Sequence, residues 1–344
     1  MMTIKELAQL CNVSSATVSN VINGKGRVSP ETVKRIQDVV RQTGYHPSYL
    51  GKGLRAKASG MIGVIADDFT MFNIPRIIDG IMEYSEAQGY HIILENLRLY
   101  ARWSDAWFND DSLYQSALQP ALEQLRRFRV DGMLYIGGHE RKVHGIVQNV
   151  DTPVVSVYAF PDDPAVPAFV LDDVSGGRTA TLHLLECGHR RIGFIGGEPD
   201  NIHIIDRLRG YREALETCGI AYDPALVYCT HWGRQTGVDA TGKMLEQGAT
   251  AVLCAQDFIA AGVYDYLSMH GLQAGRDLSV VGYDNTDAAE FLAPALTSMA
   301  LPLQEIGYQA AKCLLGYLRG NEIPDGLQVP VAGELVRRCS VAKL

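Results

Sequence analysis

The 344-residue sequence predicts an α/β protein: an N-terminal all-α domain, followed by a larger two-lobed body of parallel β-sheets covered by helices. Three observations lead to this prediction. Helix caps and apolar residues at helical spacing mark three short helices before residue 46. Strands of the buried, parallel type alternate with helices from residue 61 onward. Basic residues are concentrated in the first sixty positions, although the whole chain is acidic.

The first forty-six residues have the pattern of a helix-turn-helix. Glu6 follows Thr3 by three residues, which is a capping box and opens the first helix. Ser14 can cap a second helix, and Ser29 before Pro30 opens a third. Three short helices with a tight second turn can place the second helix in the major groove of DNA. From this pattern alone, a small three-helix bundle without a ligand remains the alternative.

The distribution of charge favours the DNA-binding interpretation. Residues 1–60 hold nine Lys or Arg and three Asp or Glu, a formal charge of +6. The whole chain carries −8, so the remainder carries −14. A basic nucleic-acid reader joined to an acidic body explains both values.

Short motifs along the whole chain carry a family resemblance. Those in the head are Thr3-Ile4-Lys5-Glu6-Leu7-Ala8, Val13-Ser14, Thr17-Val18-Ser19, Val21-Ile22-Asn23 and Gly44-Tyr45-His46-Pro47-Ser48. Those in the body are Arg190-Arg191-Ile192-Gly193, Arg207-Leu208-Arg209-Gly210-Tyr211, Val280-Val281-Gly282-Tyr283-Asp284-Asn285, Pro294-Ala295-Leu296-Thr297-Ser298 and Glu334-Leu335-Val336-Arg337-Arg338. In these motifs the chain resembles the LacI/GalR family of bacterial transcriptional repressors. The resemblance implies a sensor body with the periplasmic-binding-protein fold.

The resemblance also implies which residues contact DNA. Base-reading positions fall on Ser15, Ala16 and Asn20; the polar two can hydrogen-bond base edges, and the alanine can contact a thymine methyl. The full expected set is Thr3, Ser14, Ser15, Ala16, Thr17, Ser19, Asn20, Asn23, Lys52, Leu54, Arg55 and Lys57. The expected partner is a near-palindromic double-stranded operator bound by a homodimer.

Residues 47–60 are predicted to form a hinge between head and body. By composition alone the segment is a plain linker, because Gly51 and Gly53 each weaken a helix by about 1 kcal/mol relative to Ala. The resemblance implies instead a helix that folds on the operator and inserts Leu54 into the minor groove. Since Gly51 replaces the usual Ala, we expect this helix to form less readily without DNA.

The strand and helix pattern divides the body, residues 61–344, into two lobes. Predicted strands include 61–66, 91–94, 130–136, 153–157, 169–171, 192–195, 251–253 and 279–283. We expect one lobe to comprise 61–160 plus 291–321, and the other 161–290 plus 322–344. A ligand cleft then lies at the carboxyl ends of the strands.

Family positions in this cleft predict the effector contacts. They are Phe72 and Asn73 from one lobe, and Arg207, Trp232, Gln256 and Asp284 from the other. A guanidinium and a carboxylate suit hydroxyl groups or a small acid, and an indole stacks on a sugar or a base, although a Trp is equally a core residue. A carbohydrate is the expected effector, with a purine or nucleoside as the alternative. Gln256 stands where Asn is usual, and Tyr158 where Asp is frequent.

Residues 97–114 form an aromatic-rich segment that is longer than the loop usual at this place in the family. It contains Tyr100, Arg102, Trp103, Trp107, Phe108 and Tyr114. Long loops of this kind are often functional. Two interpretations stay open: a lid that admits a larger carbohydrate, and a surface loop packed on the partner subunit.

Other classes of function are disfavoured. No nucleotide-binding glycine motif or nucleophile elbow occurs, so we expect no enzyme; acids at strand ends, such as Asp67, Asp172, Asp173 and Asp284, are more typical of ligand contacts or helix caps. Seven scattered cysteines lack metal-binding spacing, so neither a metal nor another cofactor is expected.

The sequence also predicts where the protein acts and how it assembles. No long apolar span or signal peptide is recognisable, which predicts a cytoplasmic protein with no membrane partner. The lack of a recognisable signal peptide and the basic head both disfavour a sugar-binding transport protein. Only six residues follow Arg338, too few for a tetramerisation helix, so a dimer is expected.

Overall fold

The computed structural model describes residues 2–22, 24–45, 58–147, 152–324 and 326–344. The predicted hinge contacts Lys52, Leu54, Arg55 and Lys57, together with Asn23, lie outside these ranges. The chain divides into two compact units, Met1–Gly60 and Met61–Leu344, which we call the head and the body.

Three helices form the head, as its capping residues predict. They are α1 (Ile4–Leu10), α2 (Ser15–Ile22) and α3 (Pro30–Thr43). The capping box at Thr3 is present, because its hydroxyl accepts from the Glu6 amide while the Glu6 carboxylate accepts from the Thr3 amide. Ser29 caps α3, and Gly44 ends it with φ +62°.

A small apolar core holds these helices together. Leu7 and Cys11 from the first helix, Val18 from the second and Ile36 from the third are completely buried. Tyr45 closes the core from the C-terminal side of α3. Each helix therefore has one buried stripe, and its other faces are left for contacts with solvent or a ligand.

A first six-stranded sheet organises one lobe of the body, and all its strands are parallel. In spatial order they are β13 (Gln328–Val331), β7 (Ala168–Leu171), β5 (Val154–Val157), β3 (Gly132–Ile136), β1 (Met61–Ala66) and β2 (His91–Asn96). A short parallel pair lies beside it, β4 (Lys142–Val143) with β6 (Phe160–Pro161). We call this the first lobe.

A second six-stranded sheet organises the other lobe, with one antiparallel strand, β14, at its edge. Its spatial order is β14 (Glu334–Val336), β12 (Thr297–Ala300), β11 (Ser279–Asp284), β10 (Ala251–Cys254), β8 (Ile192–Gly196) and β9 (Val227–Cys229). This is the second lobe. The inner strands of both sheets are buried on both faces, which explains their continuous apolar runs, whereas the edge strands β2, β13, β9 and β14 are partly exposed.

Helices cover both faces of each sheet. Their bounds are α4 (Ile74–Ala87), α5 (Leu99–Trp103), α6 (Asp111–Phe128), α7 (Asp173–Glu186), α8 (Ile202–Thr217), α9 (Arg234–Glu246), α10 (Asp257–Met269), α11 (Asp287–Phe291) and α12 (Leu303–Leu318), with 3₁₀ turns at Ala106–Asn109 and Pro224–Leu226. On the first sheet, α4 and α12 pack on one face and α6 on the other. On the second sheet, α7 and α8 lie opposite α9 and α10.

The predicted lobe boundaries need correction. The sequence predicts 161–290 and 322–344 for the second lobe, yet β7 and β13 pair with each other in the first sheet. It predicts 291–321 for the first lobe, yet β12 pairs with β11 in the second. The chain crosses between lobes only after β7, β12 and β13. An apolar run predicts a buried strand but does not encode which sheet that strand joins.

The aromatic segment also differs from its prediction as a loop. It contains α5, a 3₁₀ turn and the start of α6, which begins at Asp111 because Asp110 caps it. Its side chains Leu99, Trp107 and Tyr114 are buried in the core of the first lobe. Among the described residues, no helix is long and apolar enough to span a membrane.

Candidate DNA interface and effector cleft

The second helix of the head presents the three predicted base-reading residues on its surface. Ala16 and Asn20 are exposed, and Ser15 is partly exposed. Ser14 precedes this helix and caps it, since its hydroxyl accepts from the Thr17 amide at 3.1 Å and bonds the Thr17 hydroxyl at 2.9 Å. These two expected DNA contacts therefore also fix the start of the reading helix.

The loop after α2 restricts the position of the Asn20 side chain. The Asn20 carbonyl accepts from the Lys25 amide at 2.8 Å. Gly26 has φ +84°, and a Cβ built there would lie 3.2 Å from Asn20 Nδ2. Because the residue in this loop is glycine, the Asn20 amide can lie directly against the backbone of the turn.

The basic side chains of the head form an exposed surface. In the described part of the head they are Lys5, Lys25, Arg27, Lys34, Arg35 and Arg41, and all are exposed. Among the described residues of the head, only Arg41 forms an ion pair with an acid, with Nη2 2.5 Å from Asp38 Oδ1. Exposed positive charge of this density attracts a phosphate backbone.

In the body, the predicted effector residues lie at the carboxyl ends of the strands. Asp67, at the end of β1, accepts from the Gly138 amide at 2.8 Å and from Arg141 Nη2 at 3.1 Å. The Tyr135 hydroxyl also donates to this carboxylate. The Arg141 guanidinium packs over the Trp107 ring, 4.7 Å from its centroid. Asp67 thereby holds the loop after β3 in place.

Asn73 lies at the centre of this edge of the first lobe and is fully buried. Its Nδ2 donates to the Gly137 and Gly138 carbonyls at 3.4 and 3.3 Å. Its Oδ1 has no hydrogen-bond partner among the described residues. The neighbouring Phe72 is half exposed. A buried acceptor without a partner is costly, and a ligand donor would satisfy it.

In the second lobe, Asp173 joins two residues of α8. It accepts from His203 Nδ1 at 2.6 Å and from Arg207 Nε at 2.7 Å, and all three side chains are buried. Burial alone would raise the Asp173 pKa, but the Arg207 guanidinium and His203 hold this pKa well below its usual range. The other ring nitrogen of His203, Nε2, is buried without a hydrogen-bond partner among the described residues.

Arg207 also meets the end of the second sheet. Its Nη1 donates to the Ala255 carbonyl at 2.6 Å and lies 3.9 Å from Asp284 Oδ1, and its guanidinium lies over the Tyr283 ring. Burial raises the pKa of Asp284 well above its usual range; the Arg207 guanidinium opposes this shift, whereas the Asp257 and Asp173 carboxylates add to it. A carboxyl group that is readily protonated can donate a hydrogen bond to a ligand as well as accept one.

The remaining predicted contacts, Trp232 and Gln256, follow two strands of the second sheet, β9 and β10. The Trp232 indole covers Gly197, where a Cβ would lie 2.5 Å from the ring, so only glycine allows this ring position. The ring also contacts both apolar cores of the second lobe, and it is partly buried. Gln256 is partly exposed before α10, and its side chain makes no capping bond with that helix.

The two lobes meet between these groups. The buried Tyr158 ring lies 5.6 Å from the His203 ring across the boundary. Glu140 of the first lobe accepts from the Leu171 amide at 2.6 Å, directly before the crossover to α7. Burial, assisted by the Asp173 carboxylate, raises the pKa of Glu140 to about 8. At neutral pH it therefore faces the second lobe mainly as a neutral acid.

One group of side chains satisfies the distances of a metal site. Ligand atoms of Glu140, Asp173 and His203 all lie within 4.8 Å of one another, the one such group in the parts of the chain that the structure describes. Arg207 already bonds the Asp173 carboxylate, and the fixed positive charge of its guanidinium repels a cation. The site therefore suits a polar organic molecule better than a metal ion.

The structure brings some predicted residues together and adds others. Arg207 and Asp284 are neighbours, Trp232 and Gln256 follow β9 and β10 of the second sheet, and Asn73 follows β1 of the first sheet. Sequence reasoning missed the roles of His139, Glu140, Arg141 and His203, and treated Asp173 only as a strand-end acid. One signal was available: His203 and Arg207 are four residues apart, which puts them on one face of a helix.

Comparisons with known proteins agree with this architecture. Residues 3–48 match the family described as bacterial regulatory proteins, lacI family, and residues 181–341 match the periplasmic binding protein-like domain. The ribose operon repressor of Haemophilus influenzae is 30% identical over 92% of this chain and 91% of its own length.

Solved structures extend the match to nearly the whole chain. A structure titled transcriptional regulator CelR-cellobiose complex is 26% identical, covers 99% of this chain and 100% of its own, and has a TM-score of 0.63. A Lac repressor dimer bound to operator and the anti-inducer ONPF is 22% identical, covers 99% of both chains and has a TM-score of 0.78. Because the Lac repressor is only 22% identical to this chain, its similarity shows a common fold and nothing more.

Proposed function

The chain is a LacI-family transcriptional regulator. On this premise we propose that it is a homodimeric repressor, and that a carbohydrate effector controls its affinity for a near-palindromic operator. Its head supplies the reading helix, residues 47–60 form the hinge, and the body carries the effector site.

The dimeric operator is supported by the size and charge of the head. One copy offers a single eight-residue reading helix, with Ser15, Ala16 and Asn20 as base contacts. Such a module binds weakly by itself, whereas two copies related by a two-fold axis read two half-sites. The exposed basic residues supply the contacts to phosphate that hold each head on its half-site.

The effector site is supported by one observation above all: each lobe has a buried polar atom without a hydrogen-bond partner among the described residues. Asn73 Oδ1 belongs to the first lobe and His203 Nε2 to the second. Arg207 and Asp284 add a donor and a carboxyl group, and Trp232 adds an aromatic face. A sugar, with several hydroxyl groups and an apolar C–H face, matches this set. The cellobiose complex and the ribose operon repressor among the relatives favour the same class.

Control of DNA binding follows from the contacts between lobes. A ligand that bonds residues of both lobes favours the closed arrangement by its differential affinity. In a dimer, closure changes the separation of the two hinges, and hence the fit of the two heads to adjacent half-sites. A coupling of about 1–3 kcal/mol is ordinary for such a link.

The proposal is tested in two steps on the full-length protein. First, thermal-shift measurements with sugars, sugar phosphates, nucleobases and nucleosides identify the effector class; a shift with nucleosides alone would replace the carbohydrate by the alternative ligand. Second, operator selection from random duplexes, with and without the effector, tests DNA binding. We expect an inverted repeat whose affinity changes with effector. A monomer without preference for any inverted repeat would contradict the proposal.

A further inference from the structure

Four aromatic rings form a cluster on the first lobe that the effector contacts described above do not include. They are Tyr100, Trp107, Phe108 and His139, which we call the aromatic cluster. Trp107 and Phe108 stack with centroids 4.2 Å apart and an interplanar angle of 21°. Tyr100 meets Trp107 edge-to-face at 5.4 Å, and the His139 ring lies 5.6 Å from Phe108. The cluster joins residues 97–114 to the loop after β3.

The aromatic cluster is continuous with the effector cleft. Asn73 Nδ2 bonds the carbonyl of Gly138, and a Cβ at Gly138 would lie 3.6 Å from Tyr100 Cε2. His139, the next residue, has a pKa lowered by burial and by the proximity of His203 on the second lobe. The segment is fixed to the same edge, because the Ala101 amide donates to Asp68 Oδ2 at 3.2 Å. A single loop therefore separates Asn73 from the cluster.

The cluster combines an exposed ring with unsatisfied polar atoms. The Phe108 side chain is 41% exposed, whereas Trp107 beneath it is 2% exposed and acts as a rigid support. Trp107 Nε1 and Tyr100 Oη are both buried, and neither has a hydrogen-bond partner among the described residues. Burying such donors is unfavourable unless a partner arrives. A sugar ring can stack its C–H face on the exposed aromatic ring and accept hydrogen bonds from the unpaired donors.

We propose that the aromatic cluster is a second sugar subsite, in which Phe108 stacks on the outer ring of a disaccharide or longer oligosaccharide. The inner ring occupies the cleft at Asn73 and Arg207. Tyr100 Oη and Trp107 Nε1 donate to hydroxyl groups or ring oxygens of the outer ring. This inference rests on the proposed carbohydrate effector and narrows it from sugars in general to those with at least two rings.

The test measures affinity by isothermal titration calorimetry with the full-length protein. The probes are cellobiose, maltose and lactose, each compared with its constituent glucose or galactose, and adenosine as a nucleoside. We expect one disaccharide to bind about tenfold more tightly than its monosaccharide. In Phe108→Ala and Phe108→Leu, the disaccharide should lose about three- to tenfold in affinity, the range of one aromatic stacking contact, while the monosaccharide stays within about twofold.

Matched variants separate ring stacking from general damage. Phe108→Leu keeps apolar volume but removes the aromatic face, so a purely structural role predicts no loss of affinity in it. Phe128→Ala removes a ring of similar exposure, 37%, at the far end of α6 and should change neither affinity. Thermal unfolding midpoints verify that each variant is folded.

Each other outcome overturns the inference. Equal affinity for mono- and disaccharides, or equal loss of both in Phe108→Ala, removes the second subsite and leaves the proposed function intact. Binding of adenosine alone, or of no sugar in the panel, removes the subsite together with the carbohydrate effector.

Discussion

Arg207 Nε donates a 2.7 Å hydrogen bond to Asp173 Oδ1, and both side chains are almost completely excluded from solvent in the second lobe. The pair connects the first residue of α7 to the middle of α8 at the strand ends where the lobes meet. A guanidinium held this way keeps its remaining donors in a fixed orientation toward Asp284 and the ligand region. The pair therefore joins two helices at the proposed effector site, and its removal should have measurable consequences.

Removing the Arg207 side chain should destabilise the body strongly. In Arg207→Met, the Asp173 carboxylate stays buried without its cation, which costs about 3–5 kcal/mol. Urea unfolding followed by tryptophan fluorescence measures the change, because Trp103, Trp107 and Trp232 all lie in the body. Arg209→Met on the same helix removes an exposed pair with Asp206 and should cost less than about 1 kcal/mol. Equal effects of the two variants would contradict the buried pair.

Stability should depend on pH through Glu140. Its folded pKa of about 8 exceeds the ordinary 4.5, so the folded protein retains a proton that the unfolded chain releases. The stabilisation is fully present below the unfolded pKa and is lost as pH rises toward 8. Unfolding free energies at about pH 5 and about pH 9 should therefore differ more for wild type than for Glu140→Gln.

Controls for Glu140→Gln follow from its geometry. The Gln carbonyl oxygen can still accept from the Leu171 amide, so the change removes the ionisation and keeps the hydrogen bond. Glu216→Gln, at an exposed position of α8, should keep the wild-type pH dependence. If Glu140→Gln keeps it as well, the buried proton is not responsible. Asp173 and Arg207 also act on Glu140, so the comparison is made between variants and not from wild type alone.

The position of the Trp232 ring can be tested through Gly197. A Cβ at this glycine would lie 2.5 Å from the indole, so Gly197→Ala must displace the ring. We expect a shifted tryptophan emission and an effector affinity lower by about three- to tenfold, the value of an aromatic contact. Trp232→Phe should reduce affinity in a protein that remains folded. A loss of stability with unchanged effector affinity would assign Trp232 to the core alone.

Sequence reading by the head should depend on Asn20. Asn20→Ala should relax preference at one base pair of each half-site by about 1–3 kcal/mol. Lys52→Ala is the contrasting variant and should weaken binding to all duplexes alike while reducing the salt dependence. Selection of binding sites from random duplexes measures the first effect, and salt titration measures the second. An unchanged selected sequence with Asn20→Ala would contradict the assignment.

Local sequence signals predicted the helices and most strands of this protein. Thr3 with Glu6, and Ser29 with Pro30, mark helix starts because a side-chain cap depends on residues only a few positions apart. The same locality explains the error at α6, where Asp110 caps a helix that the aromatic pattern suggested to be a loop. The body's alternating pattern predicted two lobes but placed β7 and β13 in the wrong one.

The sequence by itself determined the fold class, the basic reading head and the family, since these depend on short-range patterns and on charge. Only the tertiary structure decided which strand joins which sheet, that Asp173 holds His203 and Arg207, and that Phe108 packs beside His139 in the loop after β3. These relationships join residues that are distant in the chain, and long-range packing and burial, which no local motif encodes, bring them together.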